Sequence, residues 1–248
     1  MNKNDKLPHE LQEQAEQFER MRRDFVANVS HELRTPLTVL LGYIEAIQQK
    51  KAEFPQQLHR IFDQMKQHGL RMQTLVEDLL LLSQLEATSV ESEEWQIVDV
   101  PKMIEALAED ARNISGEDLH QIRIDINYNV KLQGHENELK SLFGNLIVNA
   151  VKYTPPKGDI FITWNIKNGR AYFCVKDTGI GISKNHLPRI TERFYRVDKA
   201  RSRASGGTGL GLAIVKHVLL RHHGKLKVIS QEGVGSEFCC WFQRSFTM

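Results

Sequence analysis

The first part of the chain carries an apolar pattern typical of long helices packed side by side. From Leu11 to about Gln49 it predicts one helix, interrupted by Pro36, with apolar residues at every third or fourth position. These residues form a narrow stripe centred on Leu33: Val26, Val29, Leu33, Leu37, Leu40, Ile44 and Ile47. After a short break, a second helix repeats the spacing with Leu58, Ile61, Met65, His68, Met72, Leu75, Leu79 and Leu82.

Two such helices joined by a short loop predict an antiparallel hairpin. Because a hairpin has no further layer to cover its apolar stripe, we predict that two copies of the chain pack as a four-helix bundle. The protein is then a homodimer. His68 falls on the stripe, where we interpret it as a tolerated polar position without a ligand role.

The pattern changes after the acidic, aperiodic segment 86–94. Helices are predicted at 100–112, 136–152 and 210–222, and strands at 122–126, 160–166, 171–175, 226–229 and 236–242. Lys167-Asn168-Gly169 is a hairpin signal between two of the strands. This mixture predicts an α/β two-layer sandwich with an antiparallel-rich sheet. We expect an α+β multidomain chain: a helical hairpin at 1–88, a linker at 89–98 and a sandwich at 99–248.

Composition narrows the possible classes. The 248 residues are 41% hydrophobic and 26% charged, which excludes disordered and fibrous proteins. A net charge of +2 is too small for non-specific binding to nucleic acid, so we expect no such partner. Neither a signal peptide nor an apolar run of about 18 residues is visible. Cys174, Cys239 and Cys240 lack metal-ligand spacing, so we expect reduced thiols in strands.

A candidate nucleophile lies in the segment FVANVSHELRTPLT. His31 is about 160° around the helix from Leu33 and therefore faces outward. A neutral imidazole can attack phosphorus while a carboxylate holds the proton on its other ring nitrogen, and Glu32 could supply that carboxylate. Thr35, one turn further on, could orient a water for the reverse hydrolysis. An exposed histidine alone is usually an ordinary surface residue, so the interpretation of His31 as a nucleophile depends on its neighbours Glu32 and Thr35.

The helix predicted at 136–152 carries the first part of a candidate nucleotide site. Asn145 and Asn149 share one face of this helix, and Lys152 and Tyr153 follow. An amide oxygen suits Mg²⁺, which keeps most of its waters and binds substrate phosphates. Lys152 can meet phosphate charge.

Two glycine-rich segments complete the candidate site. Asp177 follows a strand and precedes Gly179 and Gly181, an arrangement that allows close backbone approach and a hydrogen bond from an exocyclic amine such as that of adenine. The segment 206–211 precedes a helix, whose first N–H groups can bind phosphate, but it matches neither the Rossmann nor the P-loop spacing. Between them, 189–203 is rich in arginine and predicts a basic lid over a triphosphate.

These motifs together resemble those of sensor histidine kinases. SHELRTPLT resembles the H box, NLIVNAVKYTPP the N box, DTGIGI the G1 box, ERFYRVD the F box and GGTGLGLAIVKHV the G2 box, all in the family order. The resemblance implies that His31 is the phosphoacceptor, Glu32 its acid/base partner and Thr35 the residue that supports phosphatase activity. It also implies that Asn149 binds Mg²⁺ and that Arg196 aligns the γ-phosphate. It implies a nucleotide-binding set of Asn145, Asn149, Lys152, Tyr153, Asp177, Gly179, Gly181, Phe194, Gly207, Thr208, Gly209, Leu210 and Gly211.

The resemblance implies a Bergerat-type (GHKL) sandwich that binds ATP and Mg²⁺. The expected reaction is ATP-dependent autophosphorylation of His31, followed by transfer to an aspartate on a response regulator receiver domain, with phosphatase activity towards that regulator. Membrane-spanning and sensory segments usual in the family are not visible in this sequence. We therefore expect a cytoplasmic portion of a protein anchored in the inner membrane.

Two other functions remain open. A non-catalytic dimeric module with a vestigial nucleotide fold would bind ATP without turnover, although His31, Asn149 and Asp177 are all present. An ATPase of the gyrase and chaperone type would release phosphate without protein-bound label, but gives no reason for the SHELRTP segment. The sequence does not indicate whether transfer occurs within one chain or across the dimer.

Overall fold

The computed structural model describes residues 33–34, 37–49, 55–87, 95–116, 119–197, 207–243 and 245–247. The chain divides into two compact units, Met1–Ser89 and Val90–Met248. In the described residues the helices are α1 (37–49), α2 (Gln56–Ala87), α3 (Val100–Ser115), α4 (Glu136–Tyr153) and α5 (Gly211–Arg221). The strands are β1 (Gln96–Val98), β2 (Gln121–Ile126), β3 (Val130–Gly134), β4 (Asp159–Lys167), β5 (Arg170–Asp177), β6 (Lys225–Gln231), β7 (Gly235–Phe242) and β8 (Ser245–Thr247).

The first unit contains the predicted antiparallel hairpin of α1 and α2. Glu45 forms an ion pair with Lys66 at 3.2 Å, and the Gln48 side chain donates a 2.8 Å hydrogen bond to Asp63. From the first contact to the second, the residue number increases on α1 and decreases on α2, so the two helices run in opposite directions. The helices approach closely at Gly69, where a Cβ would lie 2.6 Å from Leu41 Cδ2.

The buried face of this hairpin differs from the predicted stripe. Leu37, Leu41 and Ile44 are buried on α1, and the buried residues of α2 are Val76, Leu80, Leu82 and Leu85. Much of the predicted stripe is exposed in the single chain, including Leu33, Leu40, Ile61, Met65, His68 and Met72. Each helix therefore has two apolar faces. Residue spacing alone does not show which of two such faces is buried within one hairpin.

The second unit is built on a mixed sheet covered by helices. Among the described residues, five strands follow the order β2-β4-β5-β7-β6, with β2 parallel to β4 and the other neighbours antiparallel. A smaller sheet has the order β1-β3-β8. The apolar core centres on Phe143 of α4, whose ring lies 4.5 Å from that of Phe173 and 6.0 Å from that of Trp164.

Each helix of the second unit buries one apolar face, as its sequence spacing requires. In α3, Ile104, Ala108 and Ala111 are buried at helical spacing, and Asp99 accepts a hydrogen bond from the Lys102 backbone at the start of the helix. In the β4–β5 hairpin, Asn168 and Gly169 both have positive φ, which suits the tight turn predicted there.

The predicted α/β architecture is confirmed, and each predicted helix and strand of this unit is found within a few residues of its expected bounds. Sequence analysis did not predict β1, β3 or β8. Strand β1 lies in the segment expected to be linker. It was not predicted because it becomes a strand only by pairing with β3, more than thirty residues away in the chain. No helix of the described residues is long and apolar enough to cross a lipid bilayer.

The three cysteines lie in strands, as expected, but not all as free thiols. Cys174 of β5 and Cys239 of β7 are direct neighbours across the sheet and form a disulfide, so the expectation of a reduced thiol is wrong for this pair. The expectation failed because the register between β5 and β7 brings together two cysteines that are 65 positions apart in the sequence. Cys240 is free and buried on the opposite face of the sheet.

Candidate nucleotide and phosphoacceptor sites

The candidate phosphoacceptor segment lies mostly outside the described residues. His31, Glu32 and Thr35 all belong to that part of the chain, so their expected roles stay predictions. The expected nucleotide residues all lie in described segments of the second unit, although 198–206, part of the expected lid, do not.

Helix α4 holds the polar residues of the candidate site on one side. Leu142, Leu146 and Ile147 are buried in the core, whereas Asn145 and Asn149, one turn apart, are half-buried. The Asn145 amide donates a 2.9 Å hydrogen bond to the Ser141 carbonyl oxygen one turn earlier, which orients its own oxygen.

The same side of α4 contacts the glycine segment 207–211, which leads into α5. A Cβ on Gly211 would collide with Asn145 Oδ1, and one on Gly207 would collide with Lys152 Nζ. The Lys152 ammonium also lies 5.4 Å from the centre of the Tyr153 ring. The two segments are more than fifty residues apart in sequence. Glycine allows them to touch without an intervening side chain.

Thr208 and Leu210 organise the glycine segment from within. Both are buried, and Thr208 Oγ1 accepts a 3.2 Å hydrogen bond from the Leu210 backbone. Their side chains therefore stabilise the loop. The start of α5 presents backbone N–H groups, which together with the helix dipole favour an anion.

Asp177 ends β5 with a buried carboxylate. Its Oδ1 accepts backbone hydrogen bonds from Gly179 at 2.8 Å and from Ser236 at 3.2 Å. Burial raises the pKa of the Asp177 carboxyl above its usual value, and these two hydrogen bonds partly oppose the rise. Both backbone donors use Oδ1, so Oδ2 can accept a hydrogen bond from a ligand.

The glycines after Asp177 allow two close backbone contacts. A Cβ on Gly179 would collide with the Tyr153 carbonyl oxygen, and that same oxygen accepts a 3.1 Å hydrogen bond from the Ile180 backbone. Gly181 has a φ of 68°, and a Cβ there would collide with the Gln231 carbonyl oxygen. This loop is therefore held between the end of α4 and the end of β6.

Phe194 and Arg196 support the glycine segment from the other side. The Phe194 backbone N–H donates a 2.9 Å hydrogen bond to the Gly209 carbonyl oxygen, and Phe194 itself has a φ of 60°. Arg196 Nη2 donates to the Gly207 carbonyl oxygen. The guanidinium thus lies beside the segment that can bind phosphate.

Arg189, the first residue of the predicted basic lid, is paired within its own segment. Its guanidinium binds Glu192 at 3.1 Å and lies 4.4 Å from the centre of the Tyr195 ring. The Tyr195 hydroxyl in turn makes a 2.6 Å hydrogen bond with His186. These contacts stabilise the segment that precedes Phe194.

Sequence analysis missed the contribution of β7 to the candidate site. Ser236 binds Asp177 through its backbone, and Gly235, with a φ of 134°, allows the Asp177 carbonyl oxygen to approach. The positive φ at Gly235 was invisible in the sequence, and no motif marks a backbone donor. Only the pairing of β5 with β7 brings these residues to Asp177.

Comparison with known families gives two matches in the expected order. Residues 21–88 match the His Kinase A (phospho-acceptor) domain, and 134–245 match the histidine kinase-, DNA gyrase B- and HSP90-like ATPase. The chain belongs to the sensor histidine kinases. Within this family, the helical hairpin is the His Kinase A region and the α/β unit is the ATPase-type domain.

Individual sensor kinases are similar over most of this chain. The phosphate regulon sensor protein PhoR of Pseudomonas aeruginosa is 50% identical over 91% of the chain and 51% of its own length. PhoR of Haemophilus influenzae is 40% identical over 92% of the chain and 52% of its own length. The chain therefore spans about half the length of these curated relatives.

Solved sensor kinase structures have the same architecture. The crystal structure of full-length ShkA in complex with AMPPNP has a TM-score of 0.73 and 26% identity, over 90% of this chain and 46% of ShkA. The mycobacterial sensor histidine kinase MprB has a TM-score of 0.54 and 26% identity, over 62% of this chain and 99% of MprB.

Replacing Gly181 with alanine tests whether close backbone contact, rather than positive φ alone, requires glycine in the sensor kinase G1 loop. Gly233 is the matched control, since its φ of 77° is similar but a Cβ there meets no atom within 4 Å. Gly233→Ala should lower the free energy of unfolding by about 1 kcal/mol, the cost of left-handed backbone. Gly181→Ala should cost more than about 2 kcal/mol, because the loop must also move from Gln231.

Denaturant unfolding followed by circular dichroism measures both variants. Equal losses at the two positions would contradict the role assigned to the contact between Gly181 and Gln231.

Proposed function

We propose that this chain catalyses ATP-dependent phosphorylation of its own His31 and passes the phosphoryl group to an aspartate on a response regulator receiver domain. The meeting of three distant segments carries the proposal: the polar side of α4, the buried carboxylate of Asp177, and the glycine segment 207–211. The match of 21–88 to a phospho-acceptor domain favours a kinase over an ATPase that lacks an acceptor histidine.

In this proposal, Asp177 selects adenine. Its Oδ2 accepts a hydrogen bond from the exocyclic amine, while the backbone hydrogen bonds of Gly179 and Ser236 hold Oδ1. Burial makes this interaction selective, since a ligand without a donor would leave Oδ2 desolvated and without a hydrogen bond. Gly179 and Gly181 keep the backbone close enough for the base to enter.

The polyphosphate binds at the start of α5. The backbone N–H groups of Gly207, Gly209 and Gly211, held in place by Thr208 and Leu210, donate to phosphate oxygens. Lys152 and Arg196 both lie beside Gly207 and add positive charge to this segment. Asn145 and Tyr153 complete the wall on α4, and Phe194 supports the loop through Gly209.

The residues present suit a magnesium ion. Asn149 is half-buried beside Asn145 and offers one neutral amide oxygen, which fits an ion that retains most of its waters and binds phosphates. When bound, Mg²⁺ would neutralise phosphate charge. Asn149 would hold it on the side of α4 that faces the glycine segment.

Phosphoryl transfer in this proposal needs little covalent chemistry from the protein. One imidazole nitrogen of His31 attacks the γ-phosphorus, the bond from that phosphorus to the bridging oxygen breaks, and ADP leaves. Glu32 accepts the proton of the other ring nitrogen, and Arg196 stabilises charge on the γ-phosphate. Thr35 orients the water that hydrolyses the phosphorylated regulator.

The exposed apolar face of the hairpin supports a homodimer. Ile61, Met65 and Met72 on α2, and Leu40 on α1, are each about half exposed in the single chain. A second hairpin would cover these side chains in a four-helix bundle. We extend the proposal to a cytoplasmic portion of a membrane-anchored sensor of the phosphate regulon, on the strength of the two PhoR relatives.

The first prediction of the proposed function concerns the acceptor histidine. With γ-labelled ATP, the protein should acquire acid-labile, base-stable label, and His31→Gln should abolish it because no other imidazole replaces the nucleophile. His59→Gln, at a histidine of the same unit outside the apolar stripe, should label as the unchanged protein does. Label retained on His31→Gln would contradict the proposal, as would steady phosphate release without any labelled protein.

The second prediction concerns adenine recognition. Asp177→Asn keeps the shape and Oδ1, but removes the charge that accepts the adenine amine. Calorimetry should show affinity for a non-hydrolysable ATP analogue falling by about 10–100-fold, the loss expected for one charge-assisted hydrogen bond. Asp125→Asn, at an exposed position on β2, should leave affinity unchanged. Similar losses in both variants would argue against adenine recognition by Asp177.

A further inference from the structure

The open face of the five-stranded sheet carries a group of side chains that the nucleotide site does not use. Along β5, Phe173 and Val175 point into the core, so Tyr172 and Cys174 point to the opposite face. On β7, Glu237 and Cys239 share that face. Cys174 and Cys239 are direct register partners with Cα atoms 4.2 Å apart, joined by a disulfide.

We propose that Cys174 and Cys239 are a reversible dithiol–disulfide pair, oxidised by a small hydroperoxide and reduced by a thiol, which crosslinks the two strands that hold Asp177. The Cα atoms of the two cysteines, 4.2 Å apart, lie well within the limit of about 7 Å beyond which a bridge would require backbone movement. Each cysteine is only 4% exposed, so the oxidant must be small.

Two neighbouring side chains can assist the chemistry. Glu237 Oε1 lies 3.4 Å from both sulfur atoms and can accept a thiol proton. The Tyr172 hydroxyl lies 3.4 Å from Cys239 Sγ. Burial, followed by the charge of Glu237, raises the pKa of Tyr172, so its hydroxyl stays protonated and can donate to a thiolate.

The oxidation balances with hydrogen peroxide as the hydroperoxide. Glu237 takes the proton of one thiol, the thiolate attacks a peroxide oxygen, the O–O bond breaks, and a sulfenic acid and hydroxide form. The second thiol then attacks the sulfenic sulfur, an S–S bond forms and water leaves. The sulfur atoms lose two electrons, which the peroxide gains. Two external thiols reverse the process by exchange and are themselves oxidised to a disulfide.

The position of the pair relates it to the nucleotide site. Cys174 lies three residues before Asp177 on β5, and Cys239 lies three residues after Ser236 on β7. Asp177 and Ser236 are themselves register partners joined by a 3.2 Å hydrogen bond. The crosslink therefore restrains the strand ends that place the Asp177 carboxylate. The second part of the proposal, that the crosslink affects nucleotide binding through these strand ends, rests on the proposed function of Asp177.

Cys240 provides an internal control. It is adjacent to Cys239 but points into the core, where it is fully buried and free. Burial raises the pKa of the Cys240 thiol, which keeps it protonated and unreactive. A sulfur partner on the neighbouring strand and the nearby Glu237 carboxylate, rather than the presence of cysteine alone, are expected to decide reactivity.

The experiment compares the full chain after dithiothreitol with the same sample after hydrogen peroxide, using alkylation and peptide mass spectrometry. We expect one disulfide-linked peptide pair containing Cys174 and Cys239, formed by peroxide and lost on reduction. Cys240→Ala should retain the pair and Cys174→Ser should lose it. Glu237→Gln should slow its formation at least about tenfold, as expected for loss of a positioned base. Oxidation should raise the Tm of the second unit by roughly 5–10 °C.

Three outcomes would overturn the pair: two alkylatable thiols after peroxide, oxidation that proceeds equally in Cys174→Ser, or one equivalent of zinc that binds and protects both thiols. For the second part, affinity for a non-hydrolysable ATP analogue should fall on reduction in the unchanged protein and stay constant in Cys174→Ser. Equal affinity in both redox states would contradict it. If the disulfide cycles but no nucleotide binds at all, the proposed function fails and the redox pair stands.

Discussion

The nucleotide-binding unit depends on the hydrogen bonds that the buried carboxylate of Asp177 accepts. It accepts hydrogen bonds from the backbone of its own loop at Gly179 and from the neighbouring strand at Ser236. A carboxylate removed from water is costly unless it is hydrogen-bonded, so these donors must be in place for the fold to tolerate it. This requirement connects the end of β5, the loop that follows it and the start of β7.

Much of the surrounding site is a consequence of close backbone approach. The loop after Asp177 lies against the carbonyl oxygens of Tyr153 and Gln231, and the glycine segment before α5 lies against Asn145 and Lys152. Side chains at Gly179, Gly181 or Gly211 would separate these surfaces. The glycines thus bring α4, β5 and α5 together, and Asn145 and Lys152 of α4 then lie against the glycine segment.

The sequence was sufficient where local signals were strong. The helical spacing of α3 and α4, the Asn168-Gly169 turn and the glycines around Asp177 each carry a physical signature within a few residues. It was insufficient where structure depends on distant pairing: β1 exists because it pairs with β3, Ser236 reaches Asp177 through strand register, and Cys174 meets Cys239 in the same way. In the hairpin, periodicity identified apolar positions but not which of two apolar faces is buried within one chain.

In the proposed function, an adenine nucleotide binds between α4, Asp177 and the glycine segment. The most direct measurement is a titration of isotopically labelled protein with a magnesium-bound, non-hydrolysable ATP analogue, followed by backbone amide resonances. If the nucleotide binds there, the largest shifts should occur at Asn149, Gly179 and Gly209, and all of them should saturate with one dissociation constant. Saturation with the largest shifts elsewhere in the chain, or no shifts at millimolar ligand, would contradict it.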